Sequence, residues 1–133
     1  MANIQKSNSE VTKFIEFLHK SEIVPFLEDI YLITVDVAGL HYIENIDEII
    51  PKIKEKSNLE LVREKNNKFD ANAILVLFNG EKIGYVPREH NLILANLMDA
   101  GKEIYGVVKT VSAESVYEND DSKIISFKIF LKE

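Results

Sequence analysis

A chain of 133 residues has the length of one ordinary domain and can bury about two thirds of the surface of its unfolded form. Its 46% hydrophobic and 29% charged residues are typical of a soluble globular protein and exclude a disordered or coiled-coil chain. Sixteen Lys and Arg against 22 Asp and Glu give a net charge of −6, which counts against nonspecific nucleic-acid binding by the whole surface and leaves room for a local site.

The residue types that usually carry chemistry are scarce. No cysteine is present, which excludes disulfides, thiol nucleophiles and thiolate zinc sites. His19, His41 and His90 form no ligand-spaced pair, so we predict no metal and no cofactor. The motifs of serine hydrolases, phosphate-binding loops and zinc proteases are missing. The remaining catalytic alternative is a cluster of Asp36, His41 and Asp70. We predict instead that the chain is not an enzyme.

Targeting and membrane segments are not recognisable in the sequence. The first residues, Met-Ala-Asn-Ile-Gln-Lys-Ser-Asn, show no basic start followed by an apolar run. No stretch approaches the ~18 apolar residues of a membrane span. The sequence therefore predicts a cytoplasmic protein without membrane contact.

The N-terminal segment has the pattern of an amphipathic helix. Ser7 and Glu10 have the spacing of a capping box, and the helix is predicted to end near Lys20. Its apolar residues recur at helical spacing: Val11, Phe14, Ile15 and Leu18. We predict an N-terminal helical extension over residues 1–28, which packs on the core or contacts a protein partner, and a β-domain over residues 29–133.

The first segments of the β-domain alternate between strand and helix patterns. Residues 30–37 alternate in polarity, which predicts a half-buried strand. One face of this strand would carry four residues: Tyr31, Ile33, Val35 and Val37. Isoleucines recur at helical spacing over residues 46–53 around Pro51, which predicts a short inserted helix. Residues 59–63 alternate again and predict a second strand.

A hairpin signal marks the middle of the chain. Residues 73–78 form an unbroken apolar run, which predicts a strand buried on both faces. Asn79 and Gly80 follow directly, and this pair favours a type I′ turn because both central residues need positive φ. Residues 81–86 are therefore predicted to be the returning strand.

The last third reads as one helix and two strands. Pro87 suits the first turn of a helix, and Gly101 suits its left-handed C-terminal cap. Residues 104–111 and 124–131 alternate as strands, and the polar, acidic residues 112–123 between them predict a surface loop or a long hairpin connection.

This order of elements, with hairpins rather than parallel crossovers, predicts a mainly β protein that is α+β by count. The predicted architecture is a small, strongly curved antiparallel β-barrel. A capping helix plugs one end, and the short inserted helix and the N-terminal amphipathic helix are added to it.

The most distinctive sequence lies in two nearby stretches. The first is Arg-Glu-Lys-Asn-Asn-Lys-Phe-Asp-Ala-Asn-Ala-Ile over residues 63–74, and the second is Ile-Gly-Tyr-Val-Pro-Arg over residues 83–88. Together with Val-Ala-Gly-Leu-His-Tyr at residues 37–42, they resemble the HIRAN domain family in its free-standing bacterial or phage form. The resemblance covers roughly residues 30–111. It implies a β-barrel related to the oligonucleotide/oligosaccharide-binding (OB) fold.

The resemblance also implies a function, the binding of single-stranded DNA at a free 3′ end. By position, His41 falls at the family's basic site and Tyr42 at a ring that stacks on a base. Asn67 and Asp70 fall at the terminal hydroxyl of the strand. A carboxylate there would accept a hydrogen bond from a hydroxyl and repel a terminal phosphate.

The resemblance extends to two further positions, and the sequence departs from the family at several others, among them Lys65 and Lys68 in place of prolines and Phe69 in place of a tyrosine. Tyr85 and Arg88 lie where the family contacts the phosphates or bases of the strand. Ile43 replaces a second aromatic residue, and a histidine at position 41 is mostly neutral at pH 7, so both departures should weaken DNA affinity. The alternative function is a protein–protein interaction module on the same barrel with no DNA binding.

Overall fold

In the computed structural model, which describes residues 10–14, 16, 28–113 and 123–133, the protein is built on a single antiparallel sheet. Its strands are β1 (Ile30–Asp36), β2 (Asn58–Arg63), β3 (Ile74–Phe78), β4 (Glu81–Tyr85), β5 (Ile104–Ala113) and β6 (Lys123–Leu131). They are arranged in the order β1-β6-β5-β2-β3-β4. This confirms the mainly β, antiparallel architecture predicted from the sequence.

The core lies on the inner face of this sheet. Every second residue of β3 is buried, while Leu75 and Leu77 are half-buried, so the predicted burial of this strand is complete on one face and partial on the other. Strand β6 contributes Ile125, Phe127 and Ile129, each with no exposed surface. The same cluster includes residues of β4 and of the C-terminal helix.

The hairpin between β3 and β4 has the predicted turn. Asn79 has φ of 49° and Gly80 has φ of 80°, so both central residues are left-handed as a type I′ turn requires. The Asn-Gly prediction is confirmed.

A β-bulge changes the face assignment at the start of β1. Tyr31 pairs with Phe130 and Ile33 with Ile129, so Leu32 is an extra residue between them. The extra residue places Tyr31 on the outer face, where it is 52% exposed and its ring packs edge-on against Phe130. The prediction that Tyr31 shares a face with Ile33 is wrong, because strict alternation ignores the bulge.

The inserted helix is present but short. Helix α1 (Ile46–Ile49) is followed by a 3-10 turn over Ile50–Lys52. Pro51 lies in the first two residues of this turn, where proline is tolerated. Its isoleucines point into the core, as the helical spacing predicted: Ile46, Ile49, Ile50 and Ile53 are all buried.

The capping helix α2 (Asn91–Asp99) begins one 3-10 turn after Pro87. At its end Gly101 adopts φ of 91°, and the amide of Lys102 donates to the carbonyl of Leu97 at 3.0 Å. This pattern is a Schellman C-cap, so the predicted C-terminal end is confirmed, whereas the α-helix begins at Asn91 and Pro87 lies before the 3-10 turn Arg88–His90 instead of in the first turn of the helix.

The two edges of the sheet meet at one point. Ala38, just after β1, exchanges two backbone hydrogen bonds of 2.8 and 2.9 Å with Tyr85 of β4. Because β1 and β4 are the two ends of the strand order, this bridge requires the sheet to curl on itself. The edges share this isolated bridge instead of a strand ladder, so the sheet is not a closed barrel. We call this contact the seam.

Residues 10–14 are helical, in agreement with the predicted N-terminal helix. Val11 and Phe14 are 52% and 54% exposed. The other residues of that prediction lie outside the described part of the chain: Ser7, Ile15, Leu18 and Lys20. Residues 114–122 of the predicted surface loop also lie outside it.

Candidate nucleic-acid interface

The loop between β2 and β3 is shaped by the side chain of Asn67. Its Oδ1 accepts hydrogen bonds from the backbone amides of Phe69, at 2.8 Å, and Asp70, at 2.9 Å. Its Nδ2 donates to Oε1 of Glu64 at 2.8 Å. Asn67 therefore folds the loop back on itself in an Asx-type turn.

Asp70 projects from this turn with both carboxylate oxygens engaged. Oδ1 accepts the backbone amide of Asn72 at 2.9 Å, and Oδ2 accepts Nδ2 of Asn91 at 2.7 Å. The backbone hydrogen bond from Asn72 is the largest of the effects that lower the pKa of Asp70 below its ordinary value; burial opposes it, and the amide of Asn91 and the charges of Arg88 and Arg63 lower the pKa further by smaller amounts. Asp70 is thus an oriented, ionised carboxylate.

Arg63 clamps the same loop to the far end of α2. Its guanidinium donates from Nε and Nη2 to the two oxygens of Asp99, at 3.0 and 3.2 Å. It also donates to the carbonyls of Ala73, at 2.7 Å, and Ala71, at 2.9 Å. The side chain is only 10% exposed, and its hydrogen bond is the largest cause that lowers the pKa of Asp99. Arg63 therefore acts as a brace.

Tyr85 joins the loop to β4. Its hydroxyl donates to Oε1 of Glu64 at 2.9 Å and accepts from Nζ of Lys82 at 3.0 Å. The same ammonium group lies 4.6 Å from the centroid of the Tyr85 ring, within the range of a cation–π contact. On the other side of the loop, Nη2 of Arg88 donates to the carbonyl of Phe69 at 3.0 Å.

His41 and Tyr42 lie on the 3-10 turn that follows the seam, Leu40–Tyr42. Their rings are 4.2 Å apart between centroids and tilted by 39°. Tyr42 is 82% exposed, so its ring is available to a ligand rather than part of the core. The turn lies near β4 because Ala38 is bonded to Tyr85.

The structure brings the predicted site residues into two neighbouring groups. Asn67, Asp70, Tyr85 and Arg88 belong to the hydrogen-bonded network around the loop. His41 and Tyr42 form the second group, across the seam.

Sequence reasoning missed several residues of the network, among them Arg63, Glu64, Phe69 and Asn91. Glu64 links Tyr85 to the loop, and it lies within the distinctive motif. Phe69 is 87% exposed beside Asp70, and its aromatic type within a polar loop is a signal that could have found it. Asn91 had no signal in the sequence.

The protein is therefore a small antiparallel β-domain that presents exposed aromatic rings and a fixed carboxylate near the seam of its sheet. The HIRAN domain model matches residues 30–132, which is most of the chain. The chain belongs to the HIRAN domain family, a family of DNA-binding modules.

Solved structures with a similar fold include HIRAN domains. A protein from Lactobacillus plantarum, in a crystal structure, is 28% identical over 77% of this chain and 97% of its own, with a TM-score of 0.61. The HIRAN domain of human HLTF, in a crystal structure, is 25% identical over 79% of this chain and 81% of its own, with a TM-score of 0.54. These HIRAN neighbours have OB-like folds, which confirms the predicted fold class. No curated protein matches the chain.

The family match also bears on the other functional classes. A HIRAN domain is a binding domain without catalytic activity in itself. Within residues 10–14, 16, 28–113 and 123–133, no three His, Asp or Glu side chains are grouped so as to hold a metal ion. Over the same residues, no helix has the length and apolar character needed to cross a membrane.

Proposed function

We propose that this protein is a non-enzymatic module that binds single-stranded DNA and prefers a free 3′ end. The observation that carries the proposal is the carboxylate of Asp70, which is ionised, oriented by two hydrogen bonds and placed in the loop that matches the family motif. We propose further that the binding serves DNA repair in the cytoplasm, since repair intermediates expose free 3′ ends.

The preference for a free 3′ end follows from the unused hydrogen-bond acceptor positions of the Asp70 carboxylate. Each oxygen of Asp70 accepts one hydrogen bond within the protein and keeps capacity for another. A terminal hydroxyl can donate to that free position, whereas a terminal phosphate would bring like charges together. Asn67 uses both acceptor positions of its Oδ1 and one N–H of its Nδ2 within the loop, so it holds Asp70 in place and keeps one N–H that can donate to the terminal hydroxyl.

Two exposed rings supply the stacking surface. Tyr42 and Phe69 are 82% and 87% exposed, so both rings are free to stack on a base. Stacking a base on an aromatic ring contributes about 1–3 kcal/mol with little sequence preference. We propose that Tyr42 and Phe69 hold terminal bases, while His41, Tyr85 and Arg88 contact phosphates or bases beside them.

The test is a titration of labelled ten-nucleotide single strands that end in a 3′-hydroxyl or a 3′-phosphate, read by fluorescence anisotropy. We expect the hydroxyl strand to bind more tightly, and Asp70→Asn to remove the difference. Asp29→Asn is the matched control, because it makes the same charge change at the opposite end of β1 from the seam. Equal binding of both strands by the wild type would refute the end preference, and no binding at low salt would refute the function.

A second candidate function is a protein–protein interaction, and it is favoured by exposed apolar surface. Val11 and Phe14 present about half of their surfaces to solvent, and we propose that residues 1–28 form an extension to the domain of residues 29–133. The doubly substituted variant Val11→Ser, Phe14→Ser tests it. This function predicts a partner that the wild type retains in affinity capture and the variant loses. If the variant retains every partner, the contact is refuted.

A further inference from the structure

Asn91 is the one buried polar residue within the part of the chain that the structure describes, with 2% of its surface exposed. It is the first residue of α2, and its side chain is not used to cap the helix: His90 is the N-cap, and no side-chain capping bond is formed there. Capping of the helix therefore does not explain why this amide is buried.

The amide points at the proposed DNA site. Nδ2 of Asn91 donates to Oδ2 of Asp70 at 2.7 Å, a short bond to a charged acceptor. The two residues lie on different elements, α2 and the loop between β2 and β3. The backbone amide of Asn72 holds the other oxygen, so the carboxylate is fixed by one donor from its own loop and one from the helix.

We propose that Asn91 is a positioning residue for the recognition of the strand end. It fixes the direction in which Asp70 presents its free acceptor position, without touching the strand itself. This inference rests on the proposed function, because it assigns a purpose to Asp70. An apolar side chain of similar size could fill the buried space, but only a side chain with a hydrogen-bond donor can hold the carboxylate, and the amide of Asn91 supplies that donor.

Two substitutions separate positioning from packing. Asn91→Leu keeps roughly the same volume and removes the donor. Asn91→Asp keeps the shape and places a second carboxylate against Asp70, where the two must share a proton or repel each other. Asn96→Asp makes the same chemical change at an exposed position of α2 and is the matched control.

The first measurement is the ratio of affinities for hydroxyl-ended and phosphate-ended strands. We expect Asn91→Asp and Asn91→Leu to lower this ratio about fivefold or more, while affinity for the phosphate-ended strand changes less than about twofold. Asn96→Asp should leave the ratio unchanged. A ratio that stays within about twofold of the wild type in both Asn91 variants overturns the inference, whatever happens to their stability.

The second measurement needs no DNA and therefore separates this inference from the proposed function. Carbon-detected NMR follows the titration of the Asp70 carboxyl, which also faces Arg88 and Arg63. We expect its pKa to rise in Asn91→Leu and to rise further in Asn91→Asp. If the wild type shows no end preference, the proposed function fails, and this titration still decides whether Asn91 holds Asp70. An unchanged pKa in Asn91→Asp overturns the inference even if Asn91→Leu does not fold.

Discussion

Gly84 determines whether the seam can form, and Gly84→Ala is the sharpest test of the fold. The residue follows a bulge at Ile83 in β4 and has φ of 157°. A Cβ added there would overlap the carbonyl oxygen of Ala38 and lie 2.6 Å from Cγ1 of Val37. The Ala38 carbonyl accepts one of the two bonds of the bridge to Tyr85, and backbone cannot swing aside as a side chain can, so the methyl group can be accommodated only if the seam opens.

The expected cost follows from these contacts. Overpacking of a tight site typically costs about 1–3 kcal/mol, and loss of a backbone hydrogen bond costs about 0.5–1.5 kcal/mol. Opening the seam sacrifices the two bonds between Ala38 and Tyr85, about 1–3 kcal/mol together, and with the overpacking we expect a loss of about 2–6 kcal/mol in the free energy of unfolding. That is a large fraction of the ~5–15 kcal/mol that stabilises an ordinary domain.

Urea denaturation of Gly84→Ala and Gly80→Ala measures this cost against a control. Gly80 lies in the same hairpin with φ of 80°, and an added Cβ would meet nothing within 4 Å. Its substitution should cost about 1–2 kcal/mol from backbone conformation alone. The reasoning is refuted if Gly84→Ala costs no more than Gly80→Ala. Opening the seam should also displace the turn that carries Tyr42 and weaken DNA binding.

Other parts of the site give three more expected outcomes. Arg63→Lys loses the fork that holds Asp99 and the loop, and urea denaturation should show a loss of about 1–3 kcal/mol. Asp29, Asp70 and Asp99 have pKa values in the folded protein that lie below the ordinary ~3.9, so their ionised forms stabilise the fold above that pH. The free energy of unfolding should therefore fall as the pH drops below ~3.9 and through the lowered pKa values. In Asp70→Asn the free energy of unfolding should fall less over the same pH range. Tyr42→Ala should lower affinity for single-stranded DNA about 5- to 150-fold in anisotropy titrations, with stability unchanged within about 0.5 kcal/mol, because the ring is 82% exposed.

Local signals in the sequence predicted the elements on which they act directly. Asn79 and Gly80 specify their turn through backbone preference, and Pro87 and Gly101 mark the two ends of the C-terminal helical region for the same reason. The buried isoleucines of α1 follow from their spacing. Such features depend on a few adjacent residues, which is why a sequence is enough to predict them.

Features that depend on distant residues were not predictable in this way. The bulge in β1 is set by how Tyr31 and Ile33 pair with β6, a strand near the other end of the chain. The burial of Asn91 makes sense only once the loop carrying Asp70 folds onto α2. The pattern of apolar residues along the chain predicts neither the bulge in β1 nor the burial of Asn91, because it contains no information on which distant residue each segment will contact.

The charges around the site explain how an acidic domain can recognise a polyanion at its end. The guanidinium of Arg63 is used on Asp99 and two carbonyls, and that of Arg88 spends one of its N–H groups on the carbonyl of Phe69 and keeps the others for a contact at the strand end. With these cations bracing the loop and a net charge of −6, a long run of phosphates gains little from this surface. Rings and an oriented carboxylate depend much less on net charge, since stacking and a hydrogen bond to a hydroxyl are short-range. Binding at a terminus needs few phosphate contacts, so it suits this acidic domain better than binding along a strand.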